Sequence, residues 1–106
     1  MKNRGWIGFD FDGTLSTFDG CLGWDYIGKP IHSVIEIAKE YIKQGYEVWL
    51  VTARARVPGQ KLLLRKWCKE HLGQVVKITS HKDAGMLLLF DDRCVHVETN
   101  TGRILG

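Results

Sequence analysis

The stretch Trp6-Ile7-Gly8-Phe9-Asp10-Phe11-Asp12-Gly13-Thr14-Leu15 decides the fold, because in it an apolar run stops abruptly at two carboxylates, a glycine and a threonine. A short run of aromatic and branched residues predicts a strand buried in a parallel sheet. Asp10 and Asp12 follow at its carboxyl end, and side chains two apart on an extended segment point the same way. Both carboxylates can therefore address one point in space, where their mutual repulsion calls for a cation.

The residues that follow this acidic pair are suited to holding an oxyanion. Gly13 allows a sharp exit that brings the backbone close to a ligand, and Thr14 supplies a hydroxyl group. Magnesium is a hard ion that takes oxygen ligands and readily bridges to phosphate. The stretch therefore predicts a site for Mg²⁺ and phosphate at the end of the first strand.

The composition is that of an ordinary globular domain. The chain has 106 residues, of which 44% are hydrophobic and 25% are charged. No apolar run is long enough to span a bilayer, and the amino terminus leads into the first strand instead of a signal peptide, which predicts a cytoplasmic protein without a membrane partner. The net charge of +3 permits an anionic substrate. Three scattered cysteines argue against a disulfide framework or a zinc site.

Downstream of the first strand, the hydrophobic periodicity predicts alternating helices and strands. In chain order these are a helix opened by Pro30 and closed by Gly45, a strand over 47–51, a helix from Pro58 to about Leu72, and strands over 75–79 and 86–90. Residues 94–97 are interpreted as an edge segment or an antiparallel return. Strands and helices joined by short connections predict a single α/β domain with a mainly parallel sheet.

Residues 16–28 have no sustained helical or strand period, and they are interpreted as an ordered loop. Because this loop directly follows the first strand, it is expected to lie over the site. It contains three aromatic residues, Phe18, Trp24 and Tyr26. For each of them, packing of the loop is favoured over contact with a substrate.

Each later strand also ends in polar residues suited to phosphate chemistry. Thr52 follows the second strand, Lys82 the third, and Asp91 and Asp92 the fourth. In open α/β sheets, ligands bind outside the carboxyl ends of the strands, so these residues are expected to meet the first acidic pair. Lys77 competes with Lys82, but it lies inside a strand, whereas Lys82 follows the strand end.

Taken together, these residues resemble the motifs of the haloacid dehalogenase-like (HAD) phosphohydrolases, which transfer phosphoryl groups through an aspartyl-phosphate intermediate. The resemblance covers nearly the whole chain, and the motifs stand in the family's order: Asp10/Asp12, Thr52, Lys82 and Asp91/Asp92. It implies one HAD-type domain over residues 1–106, with a three-layer Rossmann-like fold and no large cap domain. The loop at about 16–28 then occupies the place of the flap that helps these enzymes select their substrates.

The resemblance also implies catalytic roles. Asp10 would be the nucleophile, and Asp12 would act as general acid and base. Thr52 and Lys82 would hold the phosphoryl oxygens. Gly13 and Thr14 would bind the substrate beside them.

Metal binding is expected to involve both acidic pairs. By resemblance, Mg²⁺ would be held by the carboxylate of Asp10, the backbone carbonyl of Asp12 and one of the two acids that end the fourth strand. Strand alternation lets only one of Asp91 and Asp92 point inward cleanly. Asp92 is favoured as the ligand, with Asp91 in a supporting role.

The segments Thr52-Ala53-Arg54 and Asp91-Asp92-Arg93 resemble the phosphatase domains of polynucleotide kinases and small capless phosphatases from bacteria and their phages. In that subgroup the arginine that matches Arg54 contacts the substrate phosphate, a contact that suits a guanidinium group. The alternative is a surface arginine paired with an acid. The expected activity is magnesium-dependent hydrolysis of a phosphate monoester, with a nucleotide or a polynucleotide 3′-phosphate as the narrower expectation.

Other classes of function stay open. A regulatory phosphoacceptor would need no general acid, so Asp12 argues against it, and the full motif set argues against a binding domain without turnover. A halide-displacing enzyme would need neither Asp12 nor magnesium, and it ranks low. The expected partner is a phosphorylated small molecule or a nucleic-acid end as substrate, and no obligate protein partner is evident.

Overall fold

The computed structural model describes residues 5–20 and 23–106, which form an α/β fold built on one sheet. The elements are β1 (Trp6–Phe9), α1 (His32–Lys43), β2 (Glu47–Val51), a 3₁₀ turn (Ala53–Arg56), α2 (Gln60–His71), β3 (Lys77–Thr79) and β4 (Met86–Phe90). The four strands form one sheet in the order β3-β2-β1-β4, and every pair of neighbours is parallel. The predicted α/β Rossmann-like fold with a mainly parallel sheet is therefore confirmed.

Strand β1 lies between β2 and β4, and its register brings the strand ends level. Phe9 lies opposite Leu50 on one side and Phe90 on the other. The Asp10 N–H donates to the Phe90 carbonyl oxygen at 2.8 Å, which extends this pairing by one residue beyond β1. As a result, Asp10 and Asp91 leave neighbouring strands at the same edge of the sheet.

One face of the sheet packs against both helices. The side chains of this core come from the strands and from the two helices, and they include Ile7, Phe9, Val48, Leu50 and Ile78 with Ile35, Ala38, Leu64, Trp67 and Cys68. Alternation along each strand places Ile7 and Phe9 of β1 and Val48 and Leu50 of β2 on this face. Burial of this apolar surface is the main favourable term that holds the helices on the sheet.

Phe11 anchors the segment that carries the first acidic pair to the same core. Its side chain is completely buried, and its ring meets that of Trp67 edge to face, with centroids 4.9 Å apart. Because Phe11 lies between Asp10 and Asp12, its burial fixes the backbone from which both carboxylates project.

The opposite face of the sheet carries aromatic rings and the connection between β3 and β4. Trp6 and Trp49 stack with ring centroids 3.8 Å apart. The Trp6 indole N–H donates to Asp83 Oδ1 at 2.8 Å, and the Trp6 backbone N–H donates to the Gly85 carbonyl oxygen at 2.9 Å. Residues 80–85 therefore make the parallel crossover without a helix, although such connections ordinarily take about a dozen residues or more.

The boundaries of β2 and β4 match the predicted strands, whereas other elements are shorter than predicted. The strand predicted over 75–79 begins at Lys77, and the helix predicted from Pro58 begins at Gln60. Gly59 precedes this helix with a φ of +83°, in the left-handed region that favours glycine. Residues 94–97, predicted as an edge segment or an antiparallel return, do not join the sheet, and Val97 instead forms an isolated antiparallel bridge with Ile104.

No helix in the described ranges is long and apolar enough to cross a membrane. Cys68 is buried and Cys94 is exposed, and both are free thiols. Cys21 lies outside the described residues.

We expect Asp83→Ala to lower the melting temperature, because the Trp6 indole and the Gly85 N–H share Asp83 Oδ1 as their acceptor. Asp83→Asn keeps an oxygen acceptor and should lose less stability at neutral pH. Hydrogen bonds from Trp6 and Gly85 hold the pKa of Asp83 below its ordinary value of 3.8. The stability that this carboxylate contributes is therefore present above that ordinary value and lost as the pH falls through the lowered pKa.

Thermal unfolding followed by circular dichroism, from neutral pH down to about pH 3, measures both effects. The wild type should lose more stability on acidification than Asp83→Asn, because the asparagine carries no titrating proton. Parallel curves for these two proteins would contradict the role of Asp83.

Candidate active site

After β1 the chain makes a tight turn that brings Gly13 and Thr14 close to the acidic residues. The backbone N–H groups of residues 14–16 all donate to the Phe11 carbonyl oxygen, at 3.2, 3.0 and 3.1 Å. Gly13 has a φ of +88°, and a Cβ atom at this position would collide with the carboxylate of Asp92. Glycine is thus required here both for the turn and for the close approach of Asp92.

Three carboxylates meet at this edge of the sheet. Asp10, Asp91 and Asp92 each offer one oxygen, and these oxygens lie within 4.8 Å of one another. The Thr14 hydroxyl oxygen is 3.4 Å from Asp10 Oδ2 and 3.5 Å from Asp92 Oδ1, so its single hydrogen can serve either carboxylate. The expectation that only one of Asp91 and Asp92 points inward is wrong, because β4 ends at Phe90 and strand alternation no longer applies beyond it.

Burial and the neighbouring carboxylates make Asp10 a weaker acid than an ordinary aspartate. Its pKa is raised from 3.8 to about 7, first by burial, then by its hydrogen bond with Asp92 and by the negative charge of Asp91. A cation among the oxygens would favour the ionised form of Asp10. A set of hard carboxylate oxygens at this spacing fits Mg²⁺ or a similar divalent ion.

The carboxylate of Asp12 does not join this cluster but pairs with Arg54. Arg54 Nε donates to Asp12 Oδ2 at 2.7 Å, and Nη2 donates to Asp12 Oδ1 at 2.9 Å. Nη1 donates to Gln60 Oε1 and to the Trp24 carbonyl oxygen, both at 2.8 Å, and Nη2 also donates to the Tyr26 carbonyl oxygen at 2.7 Å. Arg54 is only 4% exposed, and all five of its N–H donors are used.

Arg54 therefore ties Asp12 to the first turn of α2 and to the loop over the site. The predicted contact between Arg54 and substrate phosphate disagrees with this geometry, since no N–H of the guanidinium remains for a ligand. The alternative of an arginine paired with an acid is right about the pairing. It is wrong about the surface, because Arg54 is buried.

A cavity of about 300 Å³ opens above the acidic residues. Its lining consists of Asp10, Asp12, Phe18, Trp24, Thr52, Ala53, Asp91 and Arg93. The Thr52 hydroxyl oxygen accepts the Arg54 backbone N–H at 3.2 Å, which leaves the hydroxyl hydrogen free to be donated to a ligand. Two residues of the lining, Phe18 and Trp24, were expected to pack the loop, and the third residue not expected at the site, Arg93, was given no role of its own.

Lys82 does not line this cavity. It is exposed, and no side-chain hydrogen bond or ion pair within residues 5–20 and 23–106 involves it. The competing Lys77 lies elsewhere, with its Nζ 4.2 Å from the centroid of the Trp49 ring. Arg93 is the cationic side chain that the described part of the chain contributes to the cavity wall.

The fold and the position of the cavity define a Rossmann-like α/β domain with an acidic site at the carboxyl edge of its sheet. No family model matches the chain, and no curated protein matches it. A solved structure that it resembles is that of a conserved protein from Bacteroides thetaiotaomicron, with a TM-score of 0.63 and 20% sequence identity over 87% of this chain and 78% of that chain. At this level of identity the likeness shows the fold alone.

We expect Arg54→Ala to destabilise the protein strongly, because it leaves Asp12 without its cation and three further acceptors without a donor. Removal of one partner of a buried ion pair ordinarily lowers the free energy of unfolding by about 3–5 kcal/mol. Arg56→Ala is the matched control, since Arg56 lies in the same 3₁₀ turn and is exposed. Urea denaturation measures both variants, and equal losses would show that the Arg54 network contributes little.

Proposed function

We propose that the protein is a magnesium-dependent phosphatase of the HAD type, which hydrolyses a phosphate monoester through an aspartyl-phosphate intermediate. The observation that carries this proposal is the position of Asp10. It is half-buried on the cavity wall, beside the carboxylates of Asp91 and Asp92, and Asp12 and Thr52 line the same cavity. Asp10, Asp12, Thr52 and Asp91 belong both to the motifs of the resemblance and to the lining of the cavity, and this overlap supports the proposal.

The three clustered carboxylates, Asp10, Asp91 and Asp92, are the side chains that would hold Mg²⁺, and the backbone carbonyl of Asp12 is the further oxygen ligand implied by the resemblance. When bound, the ion neutralises charge on the nucleophile and on the phosphate. The raised pKa of Asp10 supports this assignment, because it reflects a concentration of negative charge that a cation relieves.

In the first step, an ionised oxygen of Asp10 attacks phosphorus and the phosphorus–oxygen bond of the ester breaks. Asp12 would give a proton to the departing alcohol oxygen, and for this one of its oxygens must first take up that proton and be released from Arg54, which holds both of them in this structure. In the second step, water attacks the phosphorus, its proton passes to Asp12, and the bond between phosphorus and Asp10 breaks to release inorganic phosphate. Arg54 keeps Asp12 at the cavity wall by holding both of its carboxylate oxygens.

The phosphoryl oxygens would be held by polar groups around the cavity. Thr52 has a hydroxyl hydrogen to donate, and Arg93 brings a positive charge to the wall. Lys82 keeps the role that the resemblance implies, and its exposed, flexible side chain would have to move to reach the phosphate. Gly13 and Thr14 support the acidic cluster from the adjacent turn.

The substrate proposed at this level is a phosphorylated small molecule or a nucleic-acid end, with a nucleotide or a polynucleotide 3′-phosphate as the narrower choice. A cytoplasmic location without a membrane partner remains part of the proposal. A phosphoacceptor without turnover is less well supported, because it needs no acid and base, whereas Asp12 lines the same cavity as Asp10.

We expect Mg²⁺ to raise the melting temperature of the wild type, because an ion that binds only the folded state stabilises that state by mass action. The shift should be lost in Asp10→Asn and Asp92→Asn, which remove a charged ligand. Asp25→Asn should keep it, because Asp25 is an exposed acid of the loop that lies outside the cluster. Isothermal titration calorimetry gives the affinities directly, and equal binding by all four proteins would exclude the carboxylate cluster as the metal site.

We expect magnesium-dependent release of phosphate from at least one member of a panel that contains an aryl phosphate, nucleoside monophosphates and a 3′-phosphorylated oligonucleotide. Asp10→Asn should lower kcat by at least about 10³-fold, because it removes the nucleophile. Asp12→Asn should lower it by about 10²–10⁴-fold, because it removes the acid and base. Asp25→Asn serves again as the control.

A colorimetric assay for inorganic phosphate measures all of these rates. Release that is unaffected by Asp10→Asn would assign the activity to a contaminant or to another site. If the wild type releases phosphate from none of the substrates, the result would favour a binding domain or a phosphoacceptor over a phosphatase.

A further inference from the structure

A second hollow adjoins the cavity above the carboxylates, and it contains Asp12 but not Asp10. It has a volume of about 240 Å³ and is lined by Asp12, Phe18, Gly20, Gly23, Trp24 and Arg54. Asp12, Phe18 and Trp24 line both spaces, so the second hollow continues the first one past the proposed acid and base.

The positions of Asp10 and Asp12 indicate which part of a substrate the second hollow would hold. In phosphoryl transfer, the attacking and leaving oxygens lie roughly in line on opposite sides of the phosphorus. The leaving oxygen must also lie within reach of the group that protonates it. Because Asp12 borders both spaces and Asp10 borders the first alone, a phosphate in the first cavity would direct its leaving group into the second hollow.

Apart from the ion pair of Asp12 and Arg54, the walls of this hollow are two aromatic rings and two glycines. Phe18 and Trp24 are each 49% exposed, so about half of the surface of each side chain is open to a ligand. The Arg54 guanidinium carbon lies 5.6 Å from the centroid of the Trp24 ring, and that of Arg93 lies 5.8 Å from the centroid of Phe18. Gly20 and Gly23 complete the described lining and add no side chains to it. Such walls favour a flat aromatic group over a sugar or an aliphatic chain.

The backbone next to both rings is held in place. The Trp24 carbonyl oxygen accepts a hydrogen bond from the buried Arg54 at 2.8 Å. Beside Phe18, the Thr17 N–H donates to the Lys29 carbonyl oxygen, and the Lys29 N–H donates to the Thr17 hydroxyl oxygen, both at 2.8 Å. A ligand that stacks on rings with an ordered backbone loses less binding free energy to the ordering of the loop.

We propose that Phe18 and Trp24 form a ring subsite that holds a planar aromatic group on the leaving-group side of the phosphate. The substrate class is then a phosphate monoester of an alcohol that carries an aromatic ring, such as a nucleoside. This inference rests on the proposed phosphatase function and deepens it. Because 240 Å³ is below the ~300–1,000 Å³ of pockets for drug-sized ligands, the subsite takes one ring system and not a stack of several bases.

The test compares substrates that differ only in the ring. Adenosine 5′-monophosphate is matched by ribose 5-phosphate, which lacks the base, and 2-phenylethyl phosphate is matched by ethyl phosphate, so that each pair releases an alcohol of similar acidity. The wild type should show a kcat/KM for a ring-bearing substrate that exceeds that of its partner by about ten-fold to a hundred-fold, the range expected for stacking of one base. Whichever pair shows the larger ratio distinguishes a nucleoside from a simple aryl group.

Phe18→Ala and Trp24→Ala should bring this ratio close to one, and Trp24→Phe should retain part of it. Tyr26→Ala is the matched control, because Tyr26 is an aromatic residue of the same loop, is 39% exposed and lines neither space. A ratio that falls equally in Tyr26→Ala would assign the effect to loop order and overturn the subsite. A wild-type ratio near one for both pairs would overturn it as well.

Binding of adenosine to the metal-free protein separates this inference from the proposed function. Isothermal titration calorimetry should detect adenosine and not ribose, and Phe18→Ala should weaken binding of adenosine by about ten-fold or more. If no substrate releases phosphate, the phosphatase proposal fails while this measurement still decides the subsite. Absence of adenosine binding together with ring-independent hydrolysis would leave the phosphatase standing and remove the subsite.

Discussion

The buried ion pair between Arg54 and Asp12 connects the parts of the site that come from different elements. A guanidinium group that is removed from water is tolerated only when its donors are paired, and here the partners are an acid from the end of β1, Gln60 of α2 and two carbonyl groups of residues 23–26. The loss of any one of these acceptors would leave a buried donor of Arg54 unpaired and weaken the positions of the others. The side chain that positions Asp12 also donates hydrogen bonds to the carbonyl oxygens of Trp24 and Tyr26 in the loop beside the site.

Much of the fold could be predicted because the information is local. The strand Glu47–Val51 and the strand Met86–Phe90 are apolar runs bounded by polar residues or glycine, and both have the predicted limits. Parallel pairing then brings their carboxyl ends to one edge, and this explains why Asp10, Thr52 and Asp91 share a cavity although they lie far apart in the chain.

The remaining features depend on contacts that leave no trace in a residue pattern. The partners of Arg54 include the carbonyl groups of Trp24 and Tyr26, and a backbone acceptor has no sequence signature. Likewise, an aromatic residue in a loop has the same identity whether its ring packs inward or faces a cavity, so Phe18 could be assigned to the site only from its exposure and position. The absence of Lys82 from the lining of this cavity could not be predicted either, because its position depends on the path of the loop after β3.

The two acids of the first motif end in opposite electrostatic environments although only one residue separates them. The charge of Asp12 is balanced by Arg54, whereas Asp10 faces the like charges of Asp91 and Asp92 and has its pKa raised to about 7. The cation that two adjacent carboxylates call for is thus already supplied to Asp12 by the protein. Among the described side chains, the charged groups that cluster with Asp10 are the acids Asp91 and Asp92, so none of them balances its charge. This difference is the physical argument for placing a divalent ion at Asp10 and not at the carboxylate of Asp12.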